Sequence, residues 1–140
     1  VAVLGSKEDG SPWNIGIEQP YSDRTEVIGS LEAIDATVVT SGTYERKFEE
    51  NGVLYHHVLD PATGYPAQTD LESVTITAKR GNSAFCDGLS TVCLISGMEK
   101  AQALVRELQE KYPEMELEAA FIDKDDDMVQ TDGMKIKPVD

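Results

Sequence analysis

The feature that most constrains the fold is a pair of helical segments separated by a single glycine. A helix is expected over residues 83–96, with Asn82 or Ser83 able to cap its start and Gly97 ending it. Over residues 98–112 apolar side chains recur at the 3.6-residue period of an amphipathic helix, and a proline follows. Because no strand separates the two helices, the chain does not alternate strand and helix as a parallel sheet requires.

Strand-like runs of β-branched and apolar residues cluster before and after the helices. Residues 47–52 are predicted to form a polar loop, residues 19–24 another loop, and residues 123–127 the solvated tip of a final hairpin. Trp13 alternates with two isoleucines and is predicted to lie in the core. The predicted fold is therefore α+β, a single domain over residues 1–140 in which two consecutive helices cover an antiparallel sheet. The strand-like runs are residues 1–4, 13–17, 25–31, 36–40, 53–59, 73–78, 116–122 and 128–131.

Charge and hydropathy exclude two classes of function. The chain has 26 acidic and 12 basic residues, a net charge of −14, so a basic footprint for nucleic acid is absent and no nucleic-acid partner is expected. No apolar run reaches the roughly 18 residues that a bilayer-spanning helix needs.

Cys86 and Cys93 lie seven positions apart on one predicted helix, so their Cα atoms are about 10 Å apart. This distance is too long for a disulfide, and both are expected to be free thiols.

Asp87 and Thr91 form the first candidate site. They stand at positions i and i+4 of the predicted helix and therefore share one face, with Ser90 beside them. A carboxylate with a neutral oxygen suits Mg²⁺, which takes few protein carboxylates and keeps waters or substrate phosphate oxygens. The alternative is purely structural: Asp87 favours the helix start electrostatically, and Thr91 bonds back to a carbonyl.

The second candidate site lies in residues 56–66, between two predicted strands. Period-2 geometry places His56 and His57 on opposite faces, so at most one of them points into a given pocket. His57 could act as a positioned donor or acid/base, and Gly64 would let the backbone approach a polar ligand closely. The alternative is that Asp60 only caps a turn and His57 is an ordinary strand histidine.

A third polar segment surrounds Tyr44 at the end of the first group of strands. Arg46 could lie beside phosphates or pair internally with Glu45, and chemistry alone leaves both readings open. The acidic run at residues 125–127 lacks the ligand spacing of a calcium loop, which favours a solvated turn.

Four blocks occur in order along the chain: residues 10–17 (GSPWNIGI), 41–46 (SGTYER), 56–66 (HHVLDPATGYP) with 73–76 (SVTI), and 87–91 (DGLST). In sequence and spacing they resemble the ApbE family of FAD:protein FMN transferases. Each block alone is moderately specific, whereas four in register are highly specific and cover nearly the whole chain. The resemblance is to the C-terminal half of family members.

The resemblance implies a T-fold type of subdomain and a Mg²⁺-dependent reaction. FMN would pass from FAD to a Thr or Ser hydroxyl of a target protein, with release of AMP, and His57 would assist proton removal or orient phosphate. The implied metal ligands are Asp87 and Thr91, with Ser90 as a further contributor. The implied flavin-site residues are Ser41, Tyr44, Arg46, His57, Asp60, Thr63 and Gly64.

The resemblance also sets expectations about the parent protein. Its N-terminal half would supply part of the FAD pocket, so the 140 residues alone are expected to bind FAD weakly and to transfer little FMN. The targets would be electron-transport flavoprotein subunits, and the parent would be extracytoplasmic and lipid-anchored to a bacterial membrane. Two other functions remain open: binding or hydrolysis of FAD without transfer, and a non-catalytic interaction module.

Overall fold

The computed structural model describes residues 1–21 and 26–138, which form strands packed with two helices. The helices are α1 (Ser83–Ser96) and α2 (Met98–Lys111), and a short 3-10 helix covers Pro113–Met115. The strands are β1 (Trp13–Glu18), β2 (Val27–Ala33), β3 (Ala36–Gly42), β4 (Lys47–Glu50), β5 (Val53–His56), β6 (Leu71–Lys79), β7 (Glu118–Asp123), β8 (Met128–Gln130) and β9 (Lys137–Pro138).

The centre of the fold is a four-stranded antiparallel sheet in the order β3-β6-β7-β8. Strand β6 alternates apolar and polar residues, and its Val74 and Ile76 are fully buried against the helices. Cys93 and Leu94 from α1 and Val105 from α2 complete this first core. The predicted helices thus cover one face of the sheet because their apolar stripes meet the apolar face of β6.

The opposite face of this sheet is covered by a second sheet with the strand order β1-β2-β9. Val38, Ala120 and Ile122 of the central sheet pack there against Ile17 and Leu31. The α+β class and the antiparallel pairing are confirmed. The division of the strands into separate sheets was not predicted, because alternation identifies strands but not their partners.

Several local predictions differ from the structure. Residues 47–52 were predicted as a loop, but β4 pairs with β5 as a two-stranded hairpin. The hairpin forms despite its polar sequence because Phe48 stacks on Tyr55 with ring centroids 5.0 Å apart. The predicted strand at 53–59 ends at His56. Residues 1–4 contribute only an isolated bridge, and β9 was not predicted.

Trp13 was predicted in the core, and this prediction is wrong. Its side chain is 41% exposed, whereas Ile17 on the same strand is 2% exposed. Trp13 is the first residue of β1 and lies outside the cluster that buries the other end of the strand. The predicted loop at 19–24 and the predicted strand start at residue 25 fall partly in residues 22–25, outside the described residues.

The thiols and the hairpin tip agree with the sequence analysis. Cys86 and Cys93 are both free and buried, and burial raises the pKa of the Cys93 thiol to about 12. At the tip, Asp123 Oδ1 accepts bonds from the backbone N–H groups of Asp125 and Asp127 at 2.9 and 3.0 Å. Neither helix in the described ranges has the length and apolar character needed to cross a membrane.

Candidate functional site

A pocket of about 340 Å³ opens where the end of β3 meets α1 and the segment that follows β5. It collects residues from three parts of the chain that are far apart in sequence. Four of the predicted site residues lie in its wall: Ser41, His57, Asp87 and Thr91. The full lining is Thr40, Ser41, Gly42, Glu45, His57, Val58, Leu59, Asp87 and Thr91.

The helix side of the pocket is organised by three hydroxyl groups. Ser41 Oγ on β3 lies 2.7 Å from Ser90 Oγ and 3.2 Å from Thr91 Oγ1 on α1. Ser90 and Thr91 each donate to the backbone carbonyl oxygen of Asp87, at 2.9 and 3.2 Å. The Ser90 hydroxyl is fully buried, so this network fixes α1 on β3 at the wall of the pocket.

The donor set on this side fits a hard divalent cation. Asp87 offers a carboxylate and Thr91 a hydroxyl oxygen whose proton is directed into the protein, and both side chains line the pocket. Within the described ranges, no three or more His, Cys, Asp or Glu side chains cluster as a metal site. One carboxylate with water and phosphate oxygens matches the preference of Mg²⁺ better than that of Ca²⁺ or Zn²⁺. Ser90 lies behind Thr91, and its hydroxyl is already paired.

His57 forms the opposite side of the pocket. Its backbone N–H donates to the Arg46 carbonyl oxygen at 3.1 Å, and its ring Nδ1 lies 3.3 Å from the same oxygen. If Nδ1 donates there, Nε2 carries the lone pair and can accept a proton. His56 does not line the pocket, and burial lowers its pKa, which favours the neutral ring. As predicted, only one of the two histidines lines the pocket, although β5 ends at His56 and His57 lies beyond the strand.

The loop after His57 satisfies its polar groups within itself. Asp60 Oδ1 accepts from Ala62 N–H at 2.8 Å, and the Asp60 carbonyl accepts from Gly64 N–H at 2.8 Å. Thr63 Oγ1 accepts from Tyr65 N–H at 3.3 Å. Gly64 has a φ of 72°, the left-handed conformation that glycine adopts at little cost. Asp60, Thr63 and Gly64 therefore shape a turn beside the pocket and do not line it.

Tyr44 also lies behind the pocket wall. Its ring packs directly on Gly42, where a Cβ atom would approach Tyr44 Cε1 to 2.5 Å. Burial raises the pKa of the Tyr44 phenol to about 12, and the carboxylates of Glu18 and Glu45 add to this shift. Tyr44 thus supports the backbone at the end of β3 instead of presenting its hydroxyl to the pocket.

Five lining residues were not among the predicted site residues, and the predicted site residue Arg46 is not part of the lining. Arg46 contributes its backbone carbonyl to His57, and its side chain is not part of the pocket wall. Glu45, which was considered only as an internal partner of Arg46, reaches the pocket. The position of Glu45 within the motif at residues 41–46 was the sequence signal that could have identified it as a site residue. The missed lining residues are Thr40, Gly42, Glu45, Val58 and Leu59.

The structure is thus of the α+β class, with a pocket between the end of β3 and the middle of α1. The chain belongs to the ApbE family, whose model matches residues 1–115. This match includes every residue of the pocket lining.

Individual relatives agree with the family. The chain is similar to an FAD:protein FMN transferase of Treponema pallidum, with 48% identity over 68% of this chain and 26% of the relative. It is 36% identical to one of Klebsiella pneumoniae over 89% of this chain and 37% of the relative. The crystal structure of the ApbE protein from Thermotoga maritima superposes with a TM-score of 0.72 and 34% identity over 91% of this chain and 38% of that one. The chain therefore spans well under half the length of these relatives.

Proposed function

We propose that this chain is part of an FAD:protein FMN transferase that attaches FMN covalently to a protein hydroxyl. The observation that carries the proposal is the convergence of His57, Asp87 and Thr91, from two separate sequence motifs, on one pocket. The named activity of the Treponema and Klebsiella relatives supports it. In the reaction, a Thr or Ser oxygen of the target forms a bond to the FMN phosphorus, the pyrophosphate bond breaks, and AMP leaves.

His57 is proposed to accept the proton of the attacking hydroxyl. The bond between Nδ1 and the Arg46 carbonyl oxygen orients the ring and leaves Nε2 as the acceptor. A positioned imidazole contributes about 10²–10⁴-fold to such a step. The same ring could also hold the phosphate by a hydrogen bond after it has taken up the proton.

Asp87 and Thr91 are proposed to hold Mg²⁺, with Ser90 supporting them from behind. When bound there, Mg²⁺ would neutralise the pyrophosphate and the charge on departing AMP. Asp87 supplies the only carboxylate on α1 that lines the pocket, and Thr91 supplies a neutral oxygen one turn further on. This pairing leaves coordination positions free for water and phosphate oxygens.

The remaining predicted flavin-site residues are proposed to hold in place the backbone and side chains that form the pocket. Tyr44 supports the end of β3, and Arg46 orients His57 through its carbonyl. Asp60, Thr63 and Gly64 fix the turn that borders the pocket. Ser41 belongs to the hydroxyl network on the helix side.

The proposal extends to the parent protein. Because the chain covers only 26% and 37% of the two relatives, we propose that further FAD contacts lie in sequence outside it. The 140 residues alone would then bind FAD weakly and transfer little FMN. We further propose, from the family resemblance, an electron-transport flavoprotein subunit as the target and a lipid-anchored, extracytoplasmic bacterial parent.

The test is an incubation of the full-length parent protein with FAD, Mg²⁺ and a protein target that carries an acceptor threonine. Covalent flavin is measured by fluorescence of the denatured target, and AMP by chromatography. Covalent flavin with equimolar AMP supports the proposal. AMP without covalent flavin would make the protein an FAD hydrolase, and the absence of both would favour an interaction module. The 140-residue chain, run in parallel, tests whether it is sufficient.

A further inference from the structure

We propose that Ser41 is a positioning residue that directs the lone pairs of the Thr91 hydroxyl toward a cation in the pocket. This inference deepens the proposed function and rests on its cation site. It assigns Ser41 a role on the helix side of the pocket, through Thr91, and not a contact with the flavin.

The proton inventory of the hydroxyl network supports this role. Each hydroxyl has one proton to donate. Ser90 donates its proton to the Asp87 carbonyl oxygen at 2.9 Å. Because the Ser90 proton is used in that bond, Ser41 is the donor in the 2.7 Å contact between Ser41 Oγ and Ser90 Oγ. The lone pairs of Ser41 Oγ then remain available 3.2 Å from Thr91 Oγ1.

The Thr91 proton therefore has two acceptors, and both are atoms of the protein. These are the Asp87 carbonyl oxygen and Ser41 Oγ, each 3.2 Å from Thr91 Oγ1. With its proton held there, Thr91 presents lone pairs to the pocket, as a cation ligand must. Without the Ser41 hydroxyl, the proton has one acceptor fewer on the protein side and can rotate toward the cation, which would weaken binding.

The chain offers a matched control at the N-terminal end of the same helix. Thr37 and Ser41 lie four residues apart on β3 and therefore on the same face. Thr37 Oγ1 lies 3.0 Å from Ser83 Oγ at the start of α1, just as Ser41 meets Ser90 near the middle. Both contacts join β3 to α1, but Ser83 lies about 12 Å along the helix from Thr91. A variant of Thr37 thus removes a strand-to-helix contact without touching Thr91.

The experiment measures Mn²⁺ binding to the full-length parent protein with saturating FAD, by electron paramagnetic resonance of the free ion. Ser41→Ala is expected to raise the Mn²⁺ Kd about tenfold, the lower range for loss of a group that orients a metal ligand. Ser41→Thr, which restores the hydroxyl, is expected to return the Kd to within about threefold of wild type, and Thr37→Val to leave it unchanged. Asp87→Asn removes the proposed carboxylate ligand, so the Mn²⁺ that this variant still binds measures binding elsewhere on the protein.

Each contrary outcome has a separate meaning. If Ser41→Ala binds Mn²⁺ like wild type while Asp87→Asn does not, the positioning role is wrong and the proposed cation site stands. If Thr37→Val weakens binding as much as Ser41→Ala, Ser41 only fastens α1 to β3, and the positioning role is again wrong. If wild type and Asp87→Asn bind equally, the cation site itself is wrong and the inference fails with it. Flavin transfer, measured separately, decides whether the proposed function survives that result.

Discussion

The two sides of the pocket are built by contacts of different range. On the helix side, Ser41 and Ser90 are 49 positions apart in sequence, and their contact exists only because α1 packs on β3. On the loop side, the side-chain bonds of Asp60 and Thr63 reach only two positions along the chain, and the bond from Gly64 N–H to the Asp60 carbonyl oxygen reaches four. The loop can therefore adopt its turn from local chemistry, whereas the helix side requires the assembled core.

Because of this difference, we expect the two sides of the pocket to have different roles. A cation ligand must be held to a fraction of an ångström, which rigid elements supported by buried hydrogen bonds achieve better than loops do. The helix side has that support in the fully buried Ser90. The loop side is largely exposed, and its bonds keep the chain turned beside His57. Substitutions of Asp87 and Thr91 on the helix side should thus affect chemistry, and those in the turn at residues 60–64 should affect local stability.

The largest expected effect is that of Asp87→Asn in the parent protein. The substitution keeps the side-chain shape but removes the charge that a divalent cation requires, so flavin transfer should fall about 1,000-fold. The rate of covalent flavin formation at several Mg²⁺ concentrations is the measurement. Asp60→Asn is the matched control on the loop side, because its amide oxygen can still accept from Ala62 N–H. A similar loss in both variants would contradict the division between the two sides.

The next expected effect is that of His57→Gln. Glutamine can keep a polar contact with the Arg46 carbonyl but cannot accept a proton at neutral pH, so transfer should fall about 100-fold. Mn²⁺ affinity should remain that of wild type, since the proposed cation ligands lie on α1. His56→Gln serves as the control, because His56 does not line the pocket. A loss of Mn²⁺ binding in His57→Gln would mean that the histidine acts on the metal.

The range of the contacts also explains what the sequence could predict. Asp87 and Thr91 were found together because helix periodicity alone places positions i and i+4 on one face. The self-contained turn at Asp60 was likewise one of the alternatives offered by the sequence. The contact between Ser41 and Ser90 was not predictable, because it depends on which strand lies beneath α1.

The errors in the predicted fold have the same cause, which is dependence on contacts distant in sequence. Strand β4 has no apolar alternation, and it forms only because the partner strand β5 supplies Tyr55 to stack on Phe48. Trp13 continues the alternation of β1, but its exposure depends on where the packed sheets end. Periodicity identified the strands other than β4 and β9, whereas strand pairing and burial at strand ends depended on residues distant in sequence.

Gly42→Ala should cost about 2 kcal/mol of stability, a typical value for overpacking at a filled site. The new Cβ atom would approach Tyr44 Cε1 to 2.5 Å, so the ring has to move. Because burial holds the Tyr44 pKa at about 12, displacement of the ring should lower that pKa toward its ordinary value. Urea unfolding gives the stability, and absorbance titration compared with Tyr44→Phe gives the pKa. An unchanged pKa would show that the strand yields instead of the ring.

Gly64→Ala should have the smallest effect, about 1 kcal/mol of stability, for a different reason. A Cβ atom at Gly64 would meet nothing within 4 Å, so the cost is only that of a left-handed φ of 72° in a residue with a side chain. Asn tolerates this conformation better than Ala, so Gly64→Asn should recover more than half of the loss. Urea unfolding of the three proteins is the measurement. Equal losses for Ala and Asn would mean that something other than backbone conformation requires glycine there, and would reopen a direct approach of a ligand to this turn.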